Sequence, residues 1–148
     1  MPQILLCLER ESEVINMEVK SAYIHIPFCV KICTYCDFNK YFIQNQPVDQ
    51  YLDCLIKEMS TSKQRQLKTM FVGGGTPTAL NVKQLERLLI AINETFDIET
   101  EYSFEANPDE LTMEKLQLLK KYGVNRLSMG VQTFNPDLLA ILGRTHGT

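Results

Sequence analysis

Four times along this 148-residue chain, a short run of β-branched and aromatic residues gives way to an amphipathic helical pattern. No other feature constrains the fold as much, because parallel strands need a crossover and helical crossovers pack back onto their sheet in one hand. Residues 21–28, SAYIHIPF, alternate as a strand that Pro27 brings to an end. Residues 48–59 carry apolar side chains at 48, 51, 52, 55, 56 and 59, one face of a helix, and Pro47 suits its first turn. Residues 69–72 read as a short buried strand running into Gly73-Gly74-Gly75-Thr76-Pro77-Thr78. Asn81 and Gln84 then form a capping box for a helix whose inner face is Val82, Leu85, Leu88, Leu89, Ile92 and Phe96. Residues 101–106, EYSFEA, alternate as a third strand, stopped by Asn107-Pro108-Asp109. A helix over about 112–122 turns Met113, Leu116, Leu119 and Tyr122 inward and ends at Gly123. Residues 126–131, RLSMGV, form a fourth strand, and Asn135 and Pro136 open a short helix ending near Gly143. The order predicts an α/β fold with a parallel sheet and outer helices.

Composition narrows the classes. Hydrophobic residues make up 45%, charged residues 22%, and the net charge is −3. These values exclude a disordered chain and a basic nucleic-acid arm, so no nucleic-acid partner is expected. No apolar run reaches the ~18 residues of a membrane span. Residues 1–20 read as an N-terminal extension that lacks the basic region of a secretory signal, so the expected location is cytoplasmic. A complete (β/α)8 barrel takes about 250 residues. Four βα units over residues 21–148 are too few to complete one.

The chemistry collects where the strands end, as it does in parallel α/β folds. The first strand runs into Cys29, Cys33 and Cys36, a C-x3-C-x2-C cluster. Five cysteines without a secretory signal argue for metal or redox chemistry over a disulfide framework. Cys54, within a helical pattern, reads as a small buried hydrophobe, and Cys7 in the extension is given no role. Three thiolates can grip one soft metal centre. An iron–sulfur cubane normally takes four cysteines, so three leave one iron open to a ligand. A tetrahedral zinc site would instead need a fourth ligand, with His25 or Asp37 as candidates. The triple glycine serves equally as a tight turn or as a stretch of backbone that a ligand can approach. Taken singly, Glu105, Asn107 and Gln132 read as loop and turn residues, Arg144 and His146 as solvated surface, and His25 as a satisfied core histidine.

In combination the segments resemble the radical S-adenosylmethionine superfamily. They are AYIHIPFCVKICTYCDF, FVGGGTPT, SFEANPDELT and GVNRLSMGVQTFNPDLLAILGRTH. The likeness is to the oxygen-independent coproporphyrinogen III oxidase family and its haem-chaperone branch. The resemblance implies the N-terminal part of a partial (β/α)6 TIM-like barrel. It also implies a 4Fe-4S cluster on Cys29, Cys33 and Cys36, whose open iron chelates S-adenosylmethionine. Tyr23, Tyr35, Gly74, Gly75, Thr76, Glu105, Gln132 and Arg144 would contact that cofactor. In the family an electron from a flavodoxin or ferredoxin cleaves the cofactor to methionine and a 5′-deoxyadenosyl radical. In the oxidase branch that radical starts decarboxylation of coproporphyrinogen propionates. The oxidase branch resembles C-x3-C-x2-C-x-C, whereas Phe38 stands here at the fourth cysteine's place, as the haem-chaperone branch also lacks it. The resemblance thus implies haem as ligand and haem-accepting proteins as partners, with decarboxylating oxidation as the alternative and a zinc or electron-transfer protein as a distant one. Whether the chain is itself an enzyme is left open.

Overall fold

A computed structural model describes residues 19–147; Cys7 and the rest of the expected extension up to residue 18 lie outside the described residues. In chain order the elements are β1 (Ser21–Ile26), β2 (Phe28–Cys29), β3 (Tyr41–Phe42), α1 (Val48–Ser60), β4 (Gln66–Gly74), α2 (Val82–Thr95), β5 (Asp97–Ala106), α3 (Met113–Lys121), β6 (Arg126–Met129) and α4 (Pro136–Ile141). Single 3-10 turns at Pro77–Ala79 and Pro108–Glu110 follow β4 and β5. The main sheet runs β1-β4-β5-β6 with every pair parallel, as the alternation requires.

Register places Ile24, Val72, Phe104 and Leu127 in one row across the sheet and Tyr23, Phe71, Ser103 and Arg126 in the row before it. The pleat sends successive rows to opposite faces. Ile24, Val72 and Phe104 are buried with Leu52 of α1, Leu85, Leu88, Leu89 and Ile92 of α2, and Leu119 of α3. Each buried aliphatic side chain contributes about 1.5–3 kcal/mol relative to exposure. The opposite face carries Tyr23 stacked on Phe71, with ring centroids 5.9 Å apart.

Helix α2 begins as its sequence dictates: Asn81 accepts from Gln84 N–H while the Gln84 side chain accepts from Asn81 N–H. Asn135 likewise caps α4 by accepting from the N–H groups of Asp137 and Leu138. Strand ends depart from the expected ones. β4 starts at Gln66, with a register shift between Leu67 and Thr69, and β5 starts at Asp97 because it continues to pair with this longer partner. β6 stops at Met129, where Val131 N–H turns back to Met129 O at 2.9 Å. Phe28 is not in β1: Pro27 lacks the donor that would carry the ladder on, and Phe28 and Cys29 pair with Tyr41 and Phe42 instead.

Two side chains expected inside are exposed. Cys54 points to solvent because it falls off the 48–52–55–59 stripe of its own helix. Met113 is 68% exposed, since side chains lean towards a helix's N-terminus and the first position overhangs its packed turns. The inward face of α3 is instead Lys115, Leu118, Leu119 and Tyr122, with Leu116 half-buried. Among the described residues, no helix is long and apolar enough to cross a membrane.

Candidate functional site

The C-terminal ends of β4, β5 and β6 and the cysteine loop line a cavity of about 480 Å³. That volume is within the ~300–1,000 Å³ typical of small-molecule sites. Cys29, Cys33 and Cys36 line it with Tyr35, Gly74, Gly75, Thr76, Glu105, Gln132 and Arg144. Tyr23 does not line it; its ring lies on the same sheet face and its hydroxyl bonds His25 Nδ1 at 3.0 Å. Asp37, Phe38, Lys31 and Lys40 complete the outer lip.

The cysteine loop is tied down by backbone. Tyr41 N–H donates to Pro27 O at 2.6 Å and Ile43 N–H to Cys29 O at 2.9 Å. Gly75 N–H donates to Ile26 O at 2.8 Å and Thr76 N–H to Phe28 O at 2.7 Å, joining the loop's first residues to the glycines after β4. Lys40 reaches back with its ammonium to the Cys36 and Phe38 carbonyls. His25 is a satisfied side chain, as the sequence suggested. Nδ1 meets the Tyr23 hydroxyl and Nε2 meets Asn39 O at 3.0 Å, so neither ring nitrogen is left for a metal.

The glycines are there for space. Gly74 has φ +119°, and a Cβ on it would lie 2.6 Å from His25 Nδ1. A Cβ on Gly75 would lie 2.7 Å from Phe28 O and 3.0 Å from Cys29 Sγ. Gly74 N–H donates to Glu105 Oε2 at 2.9 Å, which fixes the carboxylate at the end of β5 with most of its acceptor capacity unspent. Gln132 has φ +67°, a left-handed backbone that costs a non-glycine residue about 1–2 kcal/mol. Such strain concentrates at ligand sites.

Donors surround the thiols. The Thr76 hydroxyl lies 3.5 Å from Cys29 Sγ, and Arg144 Nη1 lies 3.7 Å from Cys33 Sγ. Burial pushes the Cys29 thiol up, and the Thr76 hydroxyl opposes this by favouring the thiolate. Burial, and then the bond to Cys33, push the Tyr35 phenol up. Among the described residues, no three His, Cys, Asp or Glu side chains are grouped tightly enough to hold a single metal ion. Cys29, Cys33 and Cys36 are free thiols lining one cavity, the ligand type that iron–sulfur clusters take.

Arg144 and His146 are half-buried, not solvated. Arg144 Nη2 donates to Asn107 Oδ1 at 2.8 Å and to Gly130 O, and His146 Nε2 lies 3.1 Å from Val131 O. Sequence reasoning missed the polar network behind them. Asn107 Nδ2 donates to Glu110 Oε1 at 2.9 Å, and Lys115 Nζ donates to Thr78 O at 2.6 Å and Glu110 O at 3.1 Å. The only hint in the sequence was a lysine on the inward stripe of α3. Burial pushes the Glu110 carboxyl up and the Lys115 ammonium down.

Known proteins share this chain's sequence and fold. The heme chaperone HemW of Bacillus subtilis is 57% identical over 135 residues, which are 86% of this chain and 36% of that protein. The oxygen-independent coproporphyrinogen III oxidase of Salmonella typhimurium is 41% identical over 131 residues, 84% of this chain and 29% of that one. Among solved structures, coproporphyrinogen III oxidase (HemN) from Escherichia coli superposes with a TM-score of 0.77 at 39% identity, over 87% of this chain and 32% of that one. The chain thus spans about a third of the length of these relatives. The likeness fits the observed sheet as part of a TIM-like barrel. The family model of the radical SAM superfamily matches residues 23–148, and this chain belongs to that superfamily.

Proposed function

We propose that this chain is the cluster-bearing part of a cytoplasmic haem chaperone, a protein that binds haem and delivers it to haem-accepting proteins. The observation that carries the reading is Phe38. It lies on the cavity lip, 71% exposed, at the position where the oxidase branch has a further cysteine. There it offers a flat apolar face to a planar macrocycle beside Tyr35, not a fourth thiol. The identity of 57% to the Bacillus subtilis heme chaperone, against 41% to the Salmonella typhimurium oxidase, supports the same choice.

In this reading Cys29, Cys33 and Cys36 hold a 4Fe-4S cluster and the strand-end residues hold S-adenosylmethionine. When bound, these groups supply one-electron reduction, with electrons from a flavodoxin- or ferredoxin-type donor. The chain's own residues do the holding. The Thr76 hydroxyl donates towards Cys29 Sγ, which favours the thiolate form that binds iron, and the Arg144 guanidinium reaches the Cys33 sulfur beside it. Glu105, anchored by Gly74 N–H, accepts from the cofactor's ammonium or ribose hydroxyls, and Arg144 pairs with its carboxylate. Tyr35, Gly74, Gly75 and Gln132 bound the remaining surface, and Tyr23 lies on the same sheet face outside the lining.

Haem titration of the full-length protein tests the proposal, with about one haem bound per chain expected. No stoichiometric binding refutes it. The likeness to coproporphyrinogen III oxidases keeps oxidative decarboxylation as a second reading. Protoporphyrinogen formed anaerobically from coproporphyrinogen III, reductant and S-adenosylmethionine would favour that reading. Iron and sulfide analysis after anaerobic reconstitution separates both from a zinc protein.

A further inference from the structure

Arg144 has a neighbour whose chemistry is unusually well matched to it. Asn107 follows β5, and its peptide N–H donates to the Thr78 hydroxyl at 3.1 Å, a side chain with no exposed surface. Its side-chain amide works in both directions: Nδ2 donates to Glu110 Oε1 and Oδ1 accepts from Arg144 Nη2. A carboxylate at this place would take the guanidinium in a two-pronged ion pair and spend its donors. A direct Glu110–Arg144 contact would do the same. An amide accepts one N–H from the cation while its other end is steered by the anion, so the two charges stay apart and Arg144 keeps donors in hand. The network is also incomplete in a telling way. Arg144 Nε and Glu110 Oε2 are both buried, and neither has a partner among the described residues. Native interiors rarely leave such atoms unpaired unless something else arrives to pair them.

We infer that Asn107, steered by Glu110, is a positioning residue that holds the Arg144 guanidinium ready for a carboxylate entering the cavity, the carboxylate of S-adenosylmethionine. The inference rests on the proposed role of Arg144 and adds the two residues that act through it. Lys115 secures the turn that carries Glu110 through the Thr78 and Glu110 carbonyls.

The test uses the full-length protein, reconstituted anaerobically and normalised to its iron content. Calorimetry compares S-adenosylmethionine with its decarboxylated analogue, which keeps the sulfonium and the ammonium and lacks the carboxylate. N107A is expected to weaken S-adenosylmethionine about tenfold, the scale of one charge-assisted hydrogen bond, and to leave the analogue within about twofold. N107A added to R144A should produce no further loss. E110A, which frees the amide to rotate, should show the same selectivity to a smaller degree, and it serves if N107A folds poorly. Equal weakening of both ligands, or effects of N107A and R144A that add, would overturn the inference. If R144A itself leaves S-adenosylmethionine affinity unchanged, the proposed role of Arg144 falls and this inference falls with it, while haem binding stands as a separate question.

Discussion

Gly75→Ala is a sharp test of how the cysteine loop is seated. The added methyl carbon would lie 2.7 Å from Phe28 O, 2.9 Å from Phe28 N and 3.0 Å from Cys29 Sγ. Two of these are backbone atoms that cannot rotate away. Ordinary non-bonded separations run near 3.5 Å, so the loop and the strand end must part by roughly half an ångström or more. The same two segments are joined by Gly75 N–H to Ile26 O and Thr76 N–H to Phe28 O, which stretch as they part. Overpacking of this kind costs about 1–3 kcal/mol. In a domain of this size each kcal/mol lowers the melting temperature by about 2–4 °C, so a drop of roughly 2–12 °C is expected. Cys29 also moves with its segment, so iron bound per chain after reconstitution should fall well below the parent's. Gly123→Ala is the control. A methyl there meets nothing within 4 Å, although φ is +88°, so it should lower stability through backbone strain alone and leave iron content intact. A Gly75→Ala protein with parental melting and a full iron complement would falsify the account of the loop's seating.

Further outcomes follow from single side chains. Tyr102 Oη is buried with no partner among the described residues, so Tyr102→Phe should stabilise the fold by about 1 kcal/mol, and a lower melting temperature would show that the hydroxyl has a partner after all. Glu86 is held below the ordinary carboxyl range first by the Lys121 ammonium and then by the Tyr122 hydroxyl. Its contribution is therefore present above the unfolded value of 4.5 and lost as the pH falls through the lowered folded value. Glu86→Gln should flatten the stability-versus-pH curve in that acid range, and an unchanged slope counts against the pairing. The 148-residue chain, purified alone, should self-associate, because edge strand β6 leaves Leu127 37% and Met129 50% exposed beside Phe134 at 76% and Ile141 at 77%. A monodisperse monomer with one sharp melt contradicts this.

The fold was legible wherever periodicity and burial coincide. Helix α2 is the plainest case, since its capping box and apolar stripe both lie in the local sequence. Parallel pairing followed too, because alternating strand and helix units need a crossover between neighbouring strands. Strand lengths did not follow: β4 and β5 extend back past their apolar runs, through backbone pairing that polar residues share equally. The two-residue β2–β3 pairing is too short for any pattern to reveal. At the site, the cysteines and glycines stood out by type and spacing. Arg144 read as solvated because nothing local shows that the segment after α4 folds back onto Gly130 and Asn107. Lys115 was hidden for a different reason: a charged residue on an inward stripe reads as noise until the carbonyls it meets, one of them 37 residues away, are in view.

The β2–β3 pairing has a consequence for how the site fills and empties. The hydrogen bonds that close the neck of the cysteine loop, from Tyr41 to Pro27 and from Ile43 to Cys29, are all main chain. None uses a sulfur. The neck can therefore stay closed whether or not the thiols are occupied, and much of the chain entropy of bringing residues 29–41 together is lost during folding, before any metal binds. Assembly of the cluster becomes a local event on a finished frame. The amides of Tyr41 and Ile43 should accordingly exchange slowly in the apo and loaded proteins alike, while those of residues 30–38 register the difference.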